Sequence, residues 1–444
     1  DSRVVLGRVS ALEREQLEVT VGNKVWELAL ADSQWAAPAD RERHYKRPAT
    51  LEDFREIVTV GDVILVEQTT ADGRRLAQFP RFEGATLLVD SRSGRTRASV
   101  GGYDADRNLF HRARDGCRQP GSVFKPIVYS EALSQGLTPA TLLSDLPRQF
   151  STGTGQVWTP RNADRDFKGF VLLANALAWS RNIPTVYLME HLGISNVVAR
   201  AEKLGIESEL DRTSSVSLGA SCVRPSEIAG VFAAFQRDGA TVEHPAFSYV
   251  RDHEGDVIRD NGRFTWPGWN TAARLDRMAR VSRSPRFGVS RQVAYLMWRL
   301  LRRVVTSGTA HELPDEWFVA GKTGTTNEFD AWFVGFDGHL TSVSWIGSDR
   351  NERALGRGEH GATVAMPVFR QVYARLEPRL VDDVELDAPE GVVEERVDPQ
   401  TGLLARPDQP ALSLPFLKGT TPTELAPTQG TRQAEQFDQI TTEF

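Results

Sequence analysis

The chain carries three short motifs that combine serine hydroxyls, lysine amines and an amide. They are SVFK at 122–125, SRN at 180–182 and KTG at 322–324, and each underlying pattern (SxxK, SxN, KTG) occurs once in the 444 residues. A serine hydroxyl is a weak nucleophile that needs an adjacent base. Since the motifs offer lysine rather than histidine as that base, they predict acyl transfer without a histidine. The candidate catalytic residues are Ser122, Lys125, Ser180, Asn182 and Lys322.

Ser122 and Lys125 are the predicted nucleophile and base. Positions i and i+3 share a helix face, so the two side chains can touch. Pro120-Gly121 suits a tight turn into a helix, and the helix start would stabilise a forming alkoxide or oxyanion. Lys125 can act as a base only when neutral, which requires burial or a nearby positive charge such as Lys322. The backbone N–H groups of Ser122 and Thr325 are the candidate oxyanion hole.

The KTG motif lies in FVAGKTGTT at 318–326, a pattern typical of an exposed edge strand. Gly321 and Gly324 leave space for a substrate backbone to approach as an added strand. The Lys322 ammonium and the threonine hydroxyls predict a pocket for an anionic terminus such as a peptide carboxylate. The candidate substrate-binding residues are Thr323, Gly324, Thr325 and Thr326.

The SRN motif supplies the remaining candidate roles. Ser180 is a candidate proton relay between the lysines and a leaving amine, and Asn182 is a candidate to hold Lys125 and a substrate amide. Trp179 and Arg181 flank these residues. We expect both flanking side chains to pack or to face solvent rather than to tune the pocket.

Composition limits the class of protein that these motifs can belong to. A chain of 444 residues is expected to form two or more domains. Its 40% hydrophobic and 25% charged residues are typical of a soluble globular protein, and its formal net charge of -6 argues against a nucleic-acid partner. No apolar stretch approaches the roughly 18 residues of a membrane span. The chain begins at Asp1 without a leader, so either a leader and anchor were removed or it is a fragment.

The two cysteines, Cys117 and Cys222, leave their redox state open. One disulfide is expected in an exported protein, and two buried thiols are expected in a reduced compartment. Neither cysteine lies in a CxxC or metal-binding arrangement. Because their separation in space is not given by the sequence, we favour two thiols.

Residues 1–82 are predicted to form a small OB-like β-barrel, because five short β-rich runs follow one another. They lie at 4–9, 16–21, 25–30, 63–67 and 76–79. Its mixed charges show no basic face with interleaved aromatic residues, which favours a spacer or interaction module over an oligonucleotide binder.

Residues 83–380 are predicted to form an α+β domain, in which an antiparallel sheet carries flanking helices and a helical lobe. A hairpin at 85–90 and 96–100 precedes helices at 125–135, 171–179, 194–204, 228–236 and 293–304. Strands return at 318–321, 332–336 and 340–345. Residues 381–444 are rich in Pro, Gly, Thr and acids, so we expect an extended C-terminal tail that is at best partly ordered.

The segments around the motifs resemble class A penicillin-binding proteins. RQPGSVFKPIVYSEAL at 118–133 resembles their nucleophile segment, and GKTGTTNEFDAWFVGF at 321–336 resembles their KTG strand and the next strand. Supporting matches are GGY at 101–103, WTPRN at 158–162, LAWSRNIPTV at 177–186, SLGA at 217–220 and VVTSGTA at 304–310. The resemblance covers about residues 1–430, because gram-negative members carry an OB-like insert before the transpeptidase domain.

The resemblance implies a peptidoglycan D,D-transpeptidase. In such an enzyme Ser122 attacks the D-Ala-D-Ala bond of a stem peptide, releases D-Ala and passes the acyl group to an amine of a neighbouring stem. β-Lactams mimic the donor and acylate the same serine. The resemblance assigns the role of acylation base to Lys125, and the second motif to Ser180 and Asn182. It assigns the side that binds the carboxylate and the oxyanion to Lys322, Thr323 and Thr325.

The resemblance also implies partners and a location. The expected partners are peptidoglycan stem peptides and β-lactam antibiotics, with cell-wall synthesis regulators as further candidates, and no cofactor, metal or nucleic acid. The expected location is outside the cytoplasm, at the periplasmic face of the inner membrane, with membrane association only through a segment absent from this chain. Class A members carry a glycosyltransferase domain before the OB segment. The chain as given does not, so we expect no polymerising activity from it.

Alternative functions share parts of this equipment. A D,D-carboxypeptidase or a β-lactam-hydrolysing serine enzyme of the same fold would use the same motifs. A class A β-lactamase needs a second carboxylate, typically as ExxxN, and none lies between Asn182 and Lys322. A non-catalytic β-lactam receptor needs a transmembrane sensor arrangement that the chain does not show.

Overall fold

The computed structural model describes residues 3–38, 49–68, 73–91, 94–151, 157–241, 249–255, 257–260, 286–326, 329–350, 352–376 and 386–428. The chain divides into two compact units. The first comprises Asp1–Glu83 with Gly347–Glu359, and the second comprises Gly84–Ile346 with His360–Phe444. The sequence patterns did not predict that a segment after residue 346 belongs with the first unit.

The first unit is a five-stranded antiparallel sheet in the order β3-β2-β1-β4-β5. Along β2 the buried side chains are Leu17 and Val19, and they alternate with exposed neighbours as a strand of period two requires. Gly22 adopts a φ of +59° in the turn between β2 and β3, a conformation that favours glycine. The nearly closed sheet confirms the predicted OB-like fold. Its strands are β1 (Arg3–Leu12), β2 (Gln16–Val21), β3 (Lys24–Ala29), β4 (Val63–Gln68) and β5 (Arg74–Leu76).

The second unit is built on a five-stranded sheet in the order β14-β15-β16-β6-β7. Strands distant in sequence therefore meet, as predicted, and β14, which carries KTG, lies at the sheet edge. All seven residues of β15 are buried, because helices cover the sheet faces. The strands of this sheet are β6 (Glu83–Asp90), β7 (Thr96–Val100), β14 (Ala320–Thr326), β15 (Asp330–Phe336) and β16 (Leu340–Gly347).

Between residues 142 and 260, the described residues of this unit also form three pairs of short strands outside this sheet. β8 pairs with β11, β9 with β10, and β12 with β13. They are β8 (Leu142–Asp145), β9 (Phe150–Ser151), β10 (Val157–Trp158), β11 (Gly169–Leu172), β12 (Tyr249–Arg251) and β13 (Val257–Asp260).

Helices flank the sheet and form the helical lobe, which confirms the α+β class. α1 is buried along nearly its whole length, so it lies inside the domain rather than on its surface. The described helices are α1 (Lys125–Ser134), α2 (Leu173–Ala178), α3 (Asn182–Leu192), α4 (Ile194–Lys203), α5 (Pro225–Gln236), α6 (Arg291–Ser307) and α7 (Gly361–Leu376).

One helical prediction needs correction. The helix predicted over 171–179 starts at Leu173, because Val171 and Leu172 pair with β8 as part of β11. Two further helices, Asn182–Leu192 and Gly361–Leu376, were not named individually in the sequence analysis.

The C-terminal residues that the structure describes are not an extended tail. β17 (Val392–Val397) and β18 (Leu412–Leu417) pair as antiparallel strands. Arg299 of α6 forms an ion pair with Glu394 at 2.5 Å, and Phe416 is fully buried. Residues 386–428 are thus folded, because an amphipathic pair of strands finds a partner in α6. The other parts of the predicted tail, 381–385 and 429–444, lie outside the described residues.

Within the described ranges, no helix combines the length and the apolar character needed to cross a bilayer.

Candidate active site

Ser122 lies in a tight 3-10 turn, Gly121–Phe124, that leads directly into α1. Gly121 adopts a φ of +54°, and a Cβ added there would lie 2.7 Å from the Thr325 carbonyl oxygen. Only glycine therefore allows the nucleophile turn to approach the KTG strand this closely. The predicted glycine entry turn and the position of Ser122 at a helix start agree with this geometry.

The SRN motif forms a bend between α2 and α3. Ser180 adopts a φ of +55°, which is uncommon for a residue with a side chain, and α3 begins at Asn182. The bend points its oxygens at Lys125. The Lys125 Nζ atom donates to the Ser180 carbonyl at 2.6 Å, to the Arg181 carbonyl at 3.0 Å and to Asn182 Oδ1 at 2.7 Å. The predicted contact between Asn182 and Lys125 is therefore present.

The KTG strand brings a second buried amine to the same bend. Lys322 Nζ donates to Ser180 Oγ at 2.8 Å and to the Thr323 carbonyl at 3.0 Å. Lys125 Nζ lies 3.3 Å from the same Ser180 Oγ. The Ser180 hydroxyl thus joins the two amines, which is the geometry expected of a proton relay.

Both lysine amines are fully buried, where a positive charge is unfavourable. Burial lowers the pKa of Lys125 well below its ordinary value of 10.5, and the positive charges of Lys322 and Arg181 lower it further, against the opposing effect of Asp145. Burial also lowers the pKa of Lys322, from 10.5 to about 7. The condition set by the sequence for a neutral Lys125, burial with a positive neighbour, is met.

The hydroxyl of Ser122 and the amine of Lys125 do not touch as the helix spacing predicted. Among the described residues, no hydrogen bond joins their side chains. The Lys125 amine is turned instead toward the carbonyl oxygens of the SRN bend. The i, i+3 spacing places the two residues on one face of the turn, but the acceptors of the SRN bend set the direction of the Lys125 amine.

A pocket of about 660 Å³ opens over these residues. It brings together Ser122, Ser180, Asn182 and the 323–326 segment, which are widely separated in the sequence. The two lysines lie behind its wall. The pocket is lined by Gln119, Ser122, Trp158, Asn162, Ala163, Asp164, Trp179, Ser180, Arg181, Asn182, Ser215, Leu218, Ala220, Thr309, Thr323, Gly324, Thr325, Thr326, His360 and Ala362.

The four candidate substrate-binding residues differ in their exposure. Thr325 is exposed and its Oγ1 accepts the Gly361 N–H at 3.0 Å, whereas Thr323 is buried and bonds Thr309 Oγ1 at 2.7 Å. The Thr326 hydroxyl donates to the Gln119 carbonyl at 3.0 Å, so it ties the KTG strand to the nucleophile segment. Gly324 is buried where the KTG strand comes close to the nucleophile segment. A Cβ there would lie 2.7 Å from the Pro120 carbonyl oxygen, so the close approach requires glycine.

Trp179 and Arg181, which flank Ser180, lie in different surroundings. Trp179 lines the pocket with 42% of its surface exposed. Arg181 is 4% exposed and forms a buried ion pair with Asp145 at 2.8 Å. The sequence analysis also gave no role to Asp145 or Asn162, although WTPRN, which contains Asn162, was singled out. Their contribution depends on long-range contacts that the local pattern does not show.

The two cysteines form a disulfide, so the preference for free thiols was wrong. Their Cα atoms lie 5.2 Å apart across 105 residues of sequence. A short antiparallel bridge brings them together, because Arg118 and Val223 exchange two backbone hydrogen bonds of 2.9 Å. The disulfide thereby ties the segment before Ser122 to the pocket wall that contains Ala220.

An OB-like sheet and a domain in which SxxK, SxN and KTG surround one pocket define a penicillin-interacting class of protein. Residues 84–374 match the family model described as "Penicillin binding protein transpeptidase domain", and residues 2–82 match "Penicillin-binding protein OB-like domain". The chain therefore belongs to the penicillin-binding protein transpeptidase family, with the OB-like and transpeptidase domains of its class A members.

Curated relatives agree with this assignment. The chain is 32% identical over 339 residues to penicillin-binding protein 1A of Neisseria flavescens, a match that covers 75% of this chain and 40% of the relative. It is 30% identical over 400 residues to penicillin-binding protein 1A of Pseudomonas aeruginosa, covering 82% of this chain and 48% of the relative. The chain thus spans less than half the length of these relatives.

Solved structures share the fold. Penicillin-binding protein 1A from Haemophilus influenzae superposes with a TM-score of 0.78 at 24% identity, covering 96% of this chain and 64% of that chain. The PonA1 protein from Mycobacterium tuberculosis in complex with penicillin V superposes with a TM-score of 0.58 at 22% identity, covering 70% of this chain and 82% of that chain.

Proposed function

We propose that this chain is a peptidoglycan D,D-transpeptidase that works through an acyl-enzyme on Ser122 and that β-lactams acylate at the same atom. One observation carries the proposal. The three motifs surround one pocket, and two fully buried lysines lie behind it. A hydrogen bond from Lys322 to Ser180, 142 positions apart in the sequence, joins the KTG and SRN motifs. Family membership supports the substrate class.

Acylation begins with the Ser122 hydroxyl. In the proposal a neutral Lys125 takes its proton, and the Ser122 oxygen attacks the carbonyl carbon between the two D-Ala residues of a donor stem peptide. The hydrogen bond between the two side chains forms when substrate binds, since catalytic hydrogen bonds are often long or absent without substrate. The backbone N–H groups of Ser122 and Thr325 bind the resulting oxyanion.

Collapse of the tetrahedral intermediate breaks the C–N bond. The proton passes from Lys125 through Ser180 to the leaving amine, and D-Ala departs, which leaves an ester on Ser122. An acceptor amine then attacks that ester and forms the cross-link, while its proton returns through the same residues to the Ser122 oxygen. The position of Ser180 Oγ between both amines supports this relay.

Donor binding uses the edge strand. The donor peptide pairs with β14 as an added strand, because β14 has a single neighbour in the described sheet. The Thr323 and Thr325 hydroxyls bind its terminal carboxylate, with the charge of Lys322 behind them. The chain acts outside the cytoplasm, at the periplasmic face of the inner membrane, where a disulfide such as Cys117–Cys222 persists.

Covalent labelling tests the nucleophile. We expect intact-protein mass spectrometry after penicillin treatment to show one adduct on the wild-type chain, located at residue 122 by peptide mapping. Ser122→Ala should show none. Ser215→Ala is the matched control, because it removes another hydroxyl that lines the same pocket, and it should be labelled.

The lifetime of the adduct separates the proposed activity from its alternatives. A transpeptidase should keep the β-lactam adduct for hours and should transfer a stem-peptide donor to an added amine. Rapid loss of the adduct would indicate a β-lactam-hydrolysing enzyme, and D-Ala release without transfer would indicate a carboxypeptidase. An equal adduct on wild type and Ser122→Ala would place the nucleophile elsewhere.

A further inference from the structure

The SRN bend supplies nearly all the oxygens that hold the Lys125 amine. Three of its partners are the Ser180 carbonyl, the Arg181 carbonyl and Asn182 Oδ1, at 2.6 to 3.0 Å. The bend is not a relaxed conformation, because Ser180 has a φ of +55°. Something in the surrounding structure must therefore hold it.

The Arg181 side chain anchors the bend from behind. Its guanidinium donates to Asp145 Oδ2 at 2.8 Å, to Asp164 Oδ2 at 2.6 Å and to the Asp166 carbonyl. Asp145 is fully buried and Arg181 is 4% exposed. A guanidinium with a fixed fork and several acceptors has little freedom to rotate, so its backbone is fixed as well.

Asn162 fixes the other end of the bend. Its Oδ1 accepts the Asn182 N–H at 2.8 Å and so caps the start of α3 from 20 residues away. Its Nδ2 donates to Asp145 Oδ1 at 2.8 Å, the second oxygen of the same carboxylate. The Asp145 carboxylate thus holds both the residue in the bend and the residue that caps the helix after it.

We propose that the buried Asp145–Arg181 ion pair is a positioning pair that places the Lys125 amine for acylation, by fixing the carbonyl oxygens that hold it and by balancing the charge beside it. This inference rests on the proposed function. No side-chain atom of either residue bonds to the Lys125 amine or to Ser122, so both side chains act through the bend that holds Lys125.

The two members of the pair act on Lys125 with opposite sign. The charged groups facing its amine are Lys322 from β14, Arg181 from the SRN bend and Asp145 from β8. The positive charge of Arg181 lowers the pKa of Lys125, and the negative charge of Asp145 raises it. Removing either member should therefore shift the pKa of Lys125 in a direction set by the charge that is lost.

Two described cations on helices that pack against α1 are held by other groups. Arg200 of α4 pairs with Glu131 of α1 at 2.8 Å, and Arg303 of α6 donates to Asn175 Oδ1 at 2.9 Å.

The test follows the rate of acylation by a fluorescent penicillin against pH. Because the neutral amine is the active form, the rate rises with pH through the pKa of Lys125. Asp145→Asn should move this rise to lower pH and Arg181→Gln to higher pH. Both should also slow acylation about 10- to 100-fold at the plateau, since the amine is displaced. In the double variant the two shifts oppose each other, so the rise should lie closer to its wild-type pH than in Arg181→Gln.

Two further variants separate charge from position. Arg181→Lys keeps the charge but not the fork, so acylation should slow while the pH of the rise stays unchanged. If Asp145→Asn does not fold, Arg181→Lys and Arg181→Gln together still test the proposal. Glu131→Gln is the matched control, because it breaks another largely buried ion pair, that of Glu131 on α1 with Arg200, and its pH profile should equal the wild type.

The outcomes also separate this inference from the function on which it rests. Wild-type rates in every variant, or shifts of the same sign in Asp145→Asn and Arg181→Gln, would overturn the positioning pair while leaving the enzyme intact. Failure of the wild-type chain to be acylated at Ser122 would instead overturn the proposed function.

Discussion

Reduction of the Cys117–Cys222 disulfide should destabilise the transpeptidase domain without unfolding it. Both cysteines are exposed, so a reductant can reach them in the folded protein. The backbone bridge between Arg118 and Val223 remains when the S–S bond is cut. We therefore expect a folded protein whose pocket wall is less firmly tied to the nucleophile segment.

The expected magnitude follows from the loop that the disulfide closes. The loop spans 105 residues of sequence, for which chain entropy gives about 4.7 kcal/mol of stabilisation at 25 °C. An unfolding entropy of about 2.1 cal/mol/K per residue, over the roughly 350 residues of the second unit, is about 0.73 kcal/mol/K. Dividing the first figure by the second predicts a fall in Tm of about 6 °C.

Differential scanning calorimetry with and without a phosphine reductant measures this fall. Thiol titration must show no free thiol before reduction and two afterwards. A variant with Cys117→Ser and Cys222→Ser is the matched control, because its Tm should equal that of the reduced wild type and should not respond to reductant. Two titratable thiols in the untreated native protein, or an unchanged Tm on reduction, would refute the reasoning.

Two more predictions concern buried groups around Ser122. Because burial lowers the pKa of Lys322 to about 7, the unfolded chain binds more protons between about pH 7 and 10.5, and the free energy of unfolding rises with pH there. Lys322→Met removes this pH dependence. In urea unfolding, the free energy of unfolding of the variant minus that of wild type should therefore fall with rising pH, by up to about 1.4 kcal/mol per pH unit in that window. A difference that stays constant with pH would contradict this prediction. Gly219→Ala should cost more than the roughly 1–2 kcal/mol of left-handed strain, because its Cβ would lie 2.3 Å from the Gly121 carbonyl oxygen next to the nucleophile. Gly169→Ala is its control in urea unfolding and penicillin labelling, since its φ of +73° matches the +74° of Gly219 but its Cβ meets open space; equal losses in the two variants would contradict the predicted clash.

The OB-like sheet could be predicted closely because its signal is local. Alternating side chains mark β2 and β3, and a glycine with positive φ marks the turn between them. For the second sheet, the local patterns predict that strands from distant segments come together, but they do not predict the order of those strands. That β16 lies beside β6 is a contact across the whole domain, and no local period encodes it.

The helix α7 shows how packing overrides a local signal. It contains Pro367, a residue that normally breaks a helix, and the sequence analysis named no element there. The helix forms against the sheet, where the Phe369 ring lies 4.9 Å from Phe333 and stacks on Tyr373 at 5.2 Å. Burial of these rings outweighs the lost hydrogen bond.

The sequence by itself determined the chemistry available to this protein: a serine, two lysines, an amide and a glycine-bordered strand, in an order that identifies the family. Tertiary structure alone decided which of these groups touch. It turned the Lys125 amine toward the SRN bend rather than toward Ser122, buried Arg181 against Asp145, and joined Cys117 to Cys222. The reason is physical, because spacing along a helix or strand fixes neighbours only within a turn or two. These contacts instead join segments 36 to 105 residues apart and form only when the domain core closes.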